Sequence, residues 1–442
     1  MALSPGIARG YALLGRERED WHASCFIHIA SVVQSRHYSM EKNMNKPLAG
    51  VRILDLTHML SGPYGAMILA DLGAETIKVE PLQGEGTRKL LATDPANSLD
   101  GQGAYYITLN RNKQSVALDL KSEEGLAVFY DLVRNADVVI ENFSAGVADK
   151  LKIGYEHLRE KNPRIITCSI SGFGSAGPNY QRPAFDQVVQ ALGAGMSITG
   201  TDPDNPTRAG IPIGDLGGGM FGVMGILAAL VERGSSGVGQ HVDISMLDCQ
   251  ISMLNYMATM HFLSGEDPYP IGNAHFVHVP YNSYRTSDGH IIIAVIFDSF
   301  WENLLEVIDY EPFKDEKYKT QPARLADKEL IDGKLNEILA TNTSAYWLEK
   351  LEAKRIPCAR VNRFSEALSD EQVLSRNMVV ELKHPNGKHT RGPGNPIKLS
   401  RTNEESFSAA PLLGQDTDTV LTDILGYSAD KLESLRKEGF VA

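Results

Sequence analysis

The chain has 442 residues, 43% hydrophobic and 22% charged, an ordinary balance for a globular protein large enough for two domains. Its formal net charge of −12 excludes a general nucleic-acid binder, because no excess of cations is available to neutralise phosphates, although a local basic pocket remains compatible with it. Cys25, Cys168, Cys249 and Cys358 stand far apart with no CxxC pair, which argues for a reducing compartment and against a disulfide framework or a zinc site.

In chain order, residues 1–43 come first and differ in character from the rest of the chain. "GRERED" interrupts any signal-peptide pattern, and "FIHIASVV" is too short and badly placed for its apolar region. This segment reads as a disordered, non-essential extension, with an organellar targeting peptide as the alternative. The expected location is cytoplasmic, or an organellar matrix under that alternative. From "VRILDL" onward, β-rich runs alternate with helical patterns. "VRILDL", "ETIKVE", "SVALDL", "DVVIEN", "RIITCSIS" and "HVDISM" read as strands. Pro63 suits the first residue of a helix "YGAMILADLG", and Ser122 can cap "EEGLAVFYDLVRNA". The alternation predicts an α/β fold, a parallel sheet with helices on both faces, and ligands beyond the C-terminal strand ends. "THMLSGP", "ENFSAG" and "SGFGSAG" fall there. The apolar run near Met220 reads as short of the roughly 20 residues that span a bilayer, so no membrane helix and no membrane partner is expected.

After about residue 265, "YNSYRTSDGHIIIAVI" reads as a hairpin turning at Ser287–Asp288–Gly289, with helices through "LIDGKLNEILA" and "SAYWLEKLEAK" after it. This is a smaller α+β domain. "VVELKHPNGKHTRGPGNPIKL" is a strand-and-turn section centred on Asn386–Gly387, and two helices close the chain. The expected organisation is an extension at 1–43, a large domain at 44–265, a small domain at 266–364, and a return to the large domain at 365–442.

A nucleotide-binding reading of the βαβ opening is weak. "THMLSGPYG" offers only Gly62 and Gly65, not GxGxxG, although Glu80 stands where a ribose-binding acid would. No GxxxxGK[ST] loop or GxSxG elbow is present. His384 and His389 flank a turn without a third ligand type, so they read as surface residues and no metal is expected.

"IGDLGGGMFG" carries more. Asp215 could simply cap a helix beginning near Leu216, but that leaves Gly217, Gly218 and Gly219 unexplained, since each helical glycine costs about 1 kcal/mol relative to alanine. An acid beside bare, donor-rich backbone suits attack on a carbonyl and stabilisation of an oxyanion. Asp186 could orient a ligand or cap the helix next to it. Asn142 and Phe143 are candidates for ligand contact at a strand end. Lys150 could meet a phosphate or be an ordinary surface lysine.

"KPLAGVRILDLTHMLSGPYGAMILADLGAETIKVEP", "LNRNKQSVALDLKSEEG", "VVIENFSAGVADKLKIGYEHL", "ITCSISGFGSAGP", "GDLGGGMFGVMGILAAL" and "APLLGQDTDTVL" resemble the family III CoA-transferases, in family order from about residue 46 to the C-terminus. That resemblance implies a Rossmann-like large domain built from both chain ends, a small middle domain, and an interlocked homodimer. It implies acyl-CoA and a small carboxylic acid as substrates, with no tightly bound cofactor. It places the nucleophile on Asp215. It places CoA contacts on Ser61, Leu118, Asp119, Leu120, Lys121, Asn142, Phe143, Ser144 and Lys150, sets His58 near the thioester, and counts Phe185 and Asp186 among the CoA-binding residues. A CoA-contacting arginine of formyl-CoA transferase corresponds to Pro81 and its active-site glutamine to Leu60, and its tetraglycine loop has no counterpart. These departures point away from formate and oxalate. The related α-methylacyl-CoA racemases carry a histidine directly before the aspartate matching Asp186. Here that position is Phe185, which cannot carry a proton. The expected function is therefore CoA transfer through aspartyl anhydride and enzyme–CoA thioester intermediates. A racemase and a non-catalytic CoA-binding subunit are the alternatives.

Overall fold

The computed structural model describes residues 46–442 apart from Pro385 and Asn403. The expectations for residues 1–43 and Cys25 lie outside the described residues. Two compact units divide the described residues: one contains residues 46–193 with Gly210–Asn255 and Asn377–Ala442, the other Ala194–Ala209 and Tyr256–Arg376. The boundaries differ from those expected. Residues 194–209 join the second unit, and the chain crosses over at Asn255 and Arg376 rather than at 265 and 364.

The larger unit is built on six parallel strands: β1 (Arg52–Asp55), β2 (Glu75–Glu80), β3 (Lys113–Ala117), β4 (Val138–Glu141), β5 (Ile166–Ser171) and β6 (His241–Ser245). Their spatial order is β3-β2-β1-β4-β5-β6, the order of a doubly wound Rossmann sheet. β1 and β4 are buried along their whole length, as strands covered on both faces must be. Alternation sorts their side chains. Leu54 and Val139 face a core shared with Phe129, Leu132 and Val133 of helix α2 (Glu123–Arg134), while Ile53, Val138 and Ile140 face one shared with Ala66, Leu69, Val223 and Ile226. Ser122 caps α2 as expected, its Oγ accepting the Gly125 N–H at 3.0 Å. Helix α1 runs Ser61–Asp71, so Pro63 is its third residue, where its missing N–H is still among the unpaired first-turn donors.

The chain end returns to the sheet. Leu118 bridges Val441, and Asp416 Oδ2 accepts the Ser115 N–H at 2.8 Å. The hairpin Val379–Lys383/His389–Pro393 surrounds the expected turn, but His384 is buried rather than a surface residue, its Nε2 lying 2.8 Å from Gln102 Oε1.

The smaller unit has a three-stranded antiparallel sheet, β7 (Tyr281–Thr286), β8 (Gly289–Ala294) and β9 (Cys358–Arg360), with β8 central. Helices Asp298–Ile308, Lys328–Leu339 and Ser344–Ala353 contribute Trp301, Leu304, Ile331, Leu335, Trp347 and Leu351 to its core.

Candidate active site

Asp215 lies in the first turn of helix α4 (Ile213–Ser236), which begins before Leu216, so it does not cap that helix. The cap comes from another element. Asp186, first residue of helix α3 (Asp186–Leu192), is buried, and its Oδ1 accepts the N–H groups of Gly214 (2.8 Å) and Asp215 (3.3 Å). Its Oδ2 accepts from Gln190 at 2.7 Å. One carboxylate thus satisfies two first-turn donors of α4 and fixes the backbone of the other acid. Ser61 fixes it from the opposite side, donating from Oγ to the Asp215 carbonyl at 2.8 Å. Burial, and then the charge of Asp186, push the Asp215 carboxyl up to about 6. At pH 7 it is still about nine-tenths ionised.

The glycines have a different reason from the one expected. A Cβ on Gly217 would lie 2.8 Å from Met253 Cε, one on Gly218 2.6 Å from Ser61 Oγ, and one on Gly219 2.5 Å from the Ser61 carbonyl oxygen. Gly65 of α1 in turn faces the Gly219 carbonyl, 2.9 Å from its would-be Cβ. The glycine run lets α1 and α4 cross at backbone distance. It is not a loop, and its N–H groups lie within the helical hydrogen-bond pattern. The first-turn donors are used as well: Ile213 N–H goes to the Ile211 carbonyl (2.8 Å) and Leu216 N–H to that of Pro212 (2.9 Å). Helix α4 is also 24 residues long, enough to cross a bilayer by length and composition, contrary to the shorter apolar run expected. Its glycine face instead packs on α1 and on Ile170 and Val242 of the sheet.

A second group forms where β1 and β4 diverge, the switch point at which open α/β sheets bind ligands. His58 N–H donates to Asn142 Oδ1 (2.8 Å), and Asn142 Nδ2 donates back to the His58 carbonyl (2.8 Å). The imidazole stacks on Phe143 with ring centroids 5.6 Å apart. Burial holds His58 below the usual histidine range, so near pH 7 the ring is neutral. Beneath the loop, Asp55 and Lys113 form a fully buried ion pair at 2.7 Å. Burial pushes the Asp55 carboxyl up, but Lys113 and Lys78 outweigh it and hold the carboxyl below its ordinary value.

The remaining expected residues spread along the same strand-end edge. The Leu118 side chain belongs to the core, so this residue can offer a ligand only backbone. Asp119 and Leu120 are half-buried, Lys121, Ser144 and Lys150 are exposed, and Phe185 is exposed beside Asp186. The side chains of Lys121 and Lys150 make no hydrogen bond or ion pair among the described residues. Glu80 is committed elsewhere, to Arg88 (2.6 and 2.7 Å) and Ser115 (2.7 Å), which removes it as a ribose ligand. No group of acids, histidines and cysteines that could hold a metal occurs among the described residues.

Sequence reasoning missed Tyr105. Its phenol is raised by burial and by the carboxylates of Asp215, Glu85 and Asp186, which places it in the electrostatic field of the Asp215 cluster. Nothing in "GAYYITL" separates it from the buried Tyr106.

The profile of CoA-transferase family III matches residues 48–417. Over 403 residues the chain is 32% identical to human (Homo sapiens) succinyl-CoA:glutarate CoA-transferase, covering 91% of each protein. It is 36% identical to succinyl-CoA:mesaconate CoA-transferase of Haloarcula hispanica, covering 88% of this chain and 99% of that one. Among solved structures, a CAIB/BAIF family protein from Brucella suis superimposes with a TM-score of 0.78 at 33% identity, covering 86% of this chain and all of that one. The chain belongs to CoA-transferase family III and is a CoA-transferase.

Proposed function

We propose that the protein moves CoA from succinyl-CoA to a small dicarboxylic acid, with Asp215 as the covalent carrier. The observation that carries this reading is an ionisable, half-buried carboxylate whose backbone is held from two sides by Asp186 and Ser61. Such a carboxylate is a nucleophile without a general base, as a serine would not be. Asp215 attacks the thioester carbonyl and CoA thiolate leaves, giving an acyl–aspartyl anhydride. The thiolate then attacks the Asp215 Cγ, releasing the donor acid as its carboxylate and forming an enzyme–CoA thioester. The acceptor carboxylate attacks the same carbon, expels the thiolate and forms a second anhydride. The thiolate attacks the acceptor acyl carbonyl and regenerates the Asp215 carboxylate. Several easier displacements thus replace one hard exchange.

The neutral His58 and the Asn142–Phe143 lip are assigned to CoA, Lys121 and Lys150 to its phosphates, and Phe185 to the acyl side. Dicarboxylates are chosen because the relatives are named for glutarate and mesaconate with succinyl-CoA. Phe185 disfavours a two-base racemase, because it offers no proton. The test is an acid-by-acid screen for exchange from succinyl-CoA and acetyl-CoA, read by mass spectrometry. Wild type is expected to transfer to C4–C5 dicarboxylates, and Asp215→Ala to retain its fold and CoA binding while losing at least about 10³-fold in rate. Near-normal turnover by Asp215→Ala rejects the reading.

A further inference from the structure

The two strands that part at the switch point end in acids, and both acids bend back on their own chains. Asp55, last residue of β1, accepts through Oδ1 the Thr57 N–H (2.9 Å) and the Thr57 hydroxyl (2.5 Å). Glu141, last residue of β4, accepts through Oε2 the Phe143 N–H (2.6 Å) and through Oε1 the Ser169 hydroxyl. Each therefore fixes the second residue of the loop leaving its strand. The sheet ladder continues one residue further, with Leu56 N–H on the Ile140 carbonyl at 2.9 Å. Above it the reciprocal His58–Asn142 pair closes the crevice.

The clamps differ in their charge environment. Lys113 meets Asp55 at 2.7 Å, and Lys78 donates to the Thr57 carbonyl at 2.7 Å. Glu141 is buried with no cation paired to it among the described residues. Burial raises its carboxyl, Ser169 and the Phe143 N–H oppose this, and Asp149 and Asp243 add to it. A buried acid without a counter-ion is costly, so hydrogen bonding to the lip is the role its surroundings explain.

We infer that Glu141 is a positioning residue for the acyl-CoA: it holds the Asn142–Phe143 lip, and through Asn142 the His58 loop, in the geometry that receives CoA. The inference rests on the reading that CoA binds at this crevice. Glu141 would not touch the ligand. The Phe143 N–H needs an acceptor and the Ser169 hydroxyl, which can donate or accept, needs only a partner, so glutamine can replace the charge, with Oε1 accepting from Phe143 and Nε2 donating to Ser169 Oγ.

Calorimetric titration with CoA, beside thermal melts, tests this on wild type, Glu141→Ala, Glu141→Gln and Ser169→Ala. The expected result is CoA binding weakened about tenfold by alanine at 141 and a few-fold by Ser169→Ala, with glutamine within about twofold of wild type. In exchange assays KM for acyl-CoA should rise in Glu141→Ala while kcat stays within about threefold, because Asp215 is untouched. Wild type failing to bind CoA overturns the functional reading and this inference with it. Wild type binding normally, with Glu141→Ala binding equally well or Glu141→Gln losing as much as alanine, overturns the inference alone. Should Glu141→Ala show no folding transition, Ser169→Ala and Glu141→Gln decide, and wild-type affinity in Ser169→Ala contradicts it.

Discussion

Burial and the nearby Asp186 charge lift the Asp215 carboxyl to about 6, above its unfolded value near 3.8. The folded chain thus binds this proton more tightly than the unfolded chain does. Stability from this group is fully present below about pH 4 and is lost as pH rises through about 6. Asp215→Asn should therefore raise the melting temperature near pH 7, corresponding to about 1–3 kcal/mol, and the gain should shrink below pH 6 and vanish near pH 4. A gain independent of pH, or a loss at pH 7, would show that the carboxylate is not strained by its surroundings. Sequence singled out Asp215 because an acid beside three glycines is unusual. It left two roles open for Asp186, and the hydrogen bonds to Gly214 and Asp215 select a third, capping a helix other than its own. The Asp55–Lys113 pair was illegible, since a buried charge and a surface charge look alike in a strand pattern.

At the scale of elements, the crossing of α1 and α4 is the feature on which the Asp215 backbone depends, and glycine sets its distance. Gly219→Ala would put a Cβ 2.5 Å from a carbonyl oxygen and 3.1 Å from Tyr64. Neither the backbone nor the packed ring yields cheaply, so a loss of about 1–3 kcal/mol or more is expected. Gly234, in the same helix, has nothing within 4 Å of its would-be Cβ. Gly234→Ala should gain up to about 1 kcal/mol from helix propensity alone. Urea melts of the two variants check this contrast, and equal responses would refute the packing account of the glycines. The sequence marked the run as special but could not say what approached it, because the partners, Ser61 and Met253, are far away in the chain.

At the scale of the whole molecule, the six sheet strands were legible because β-branched and other apolar residues recur in short runs between turn and helix signals. The division into units was less so. Residues 194–209 carry no signal of belonging with Tyr256–Arg376, since that assignment depends on contacts distant in sequence. We propose that the chain assembles as a homodimer. Met224 and Val231 of α4 and Ile251 of helix α5 (Met246–Leu254) are apolar and exposed on the subunit alone, as a self-associating face would be. Sedimentation velocity at micromolar concentration should give a single dimeric species that persists on dilution, and a monomer would count against the interlocked arrangement.

The nucleophile is the claim on which the rest depends. Wild type turning over succinyl-CoA with an acceptor dicarboxylate, quenched with hydroxylamine, digested and sequenced by mass spectrometry, should carry a hydroxamate on Asp215 that is missing when the thioester is withheld. A hydroxamate on another residue, or an unmodified Asp215 while exchange proceeds, would contradict it.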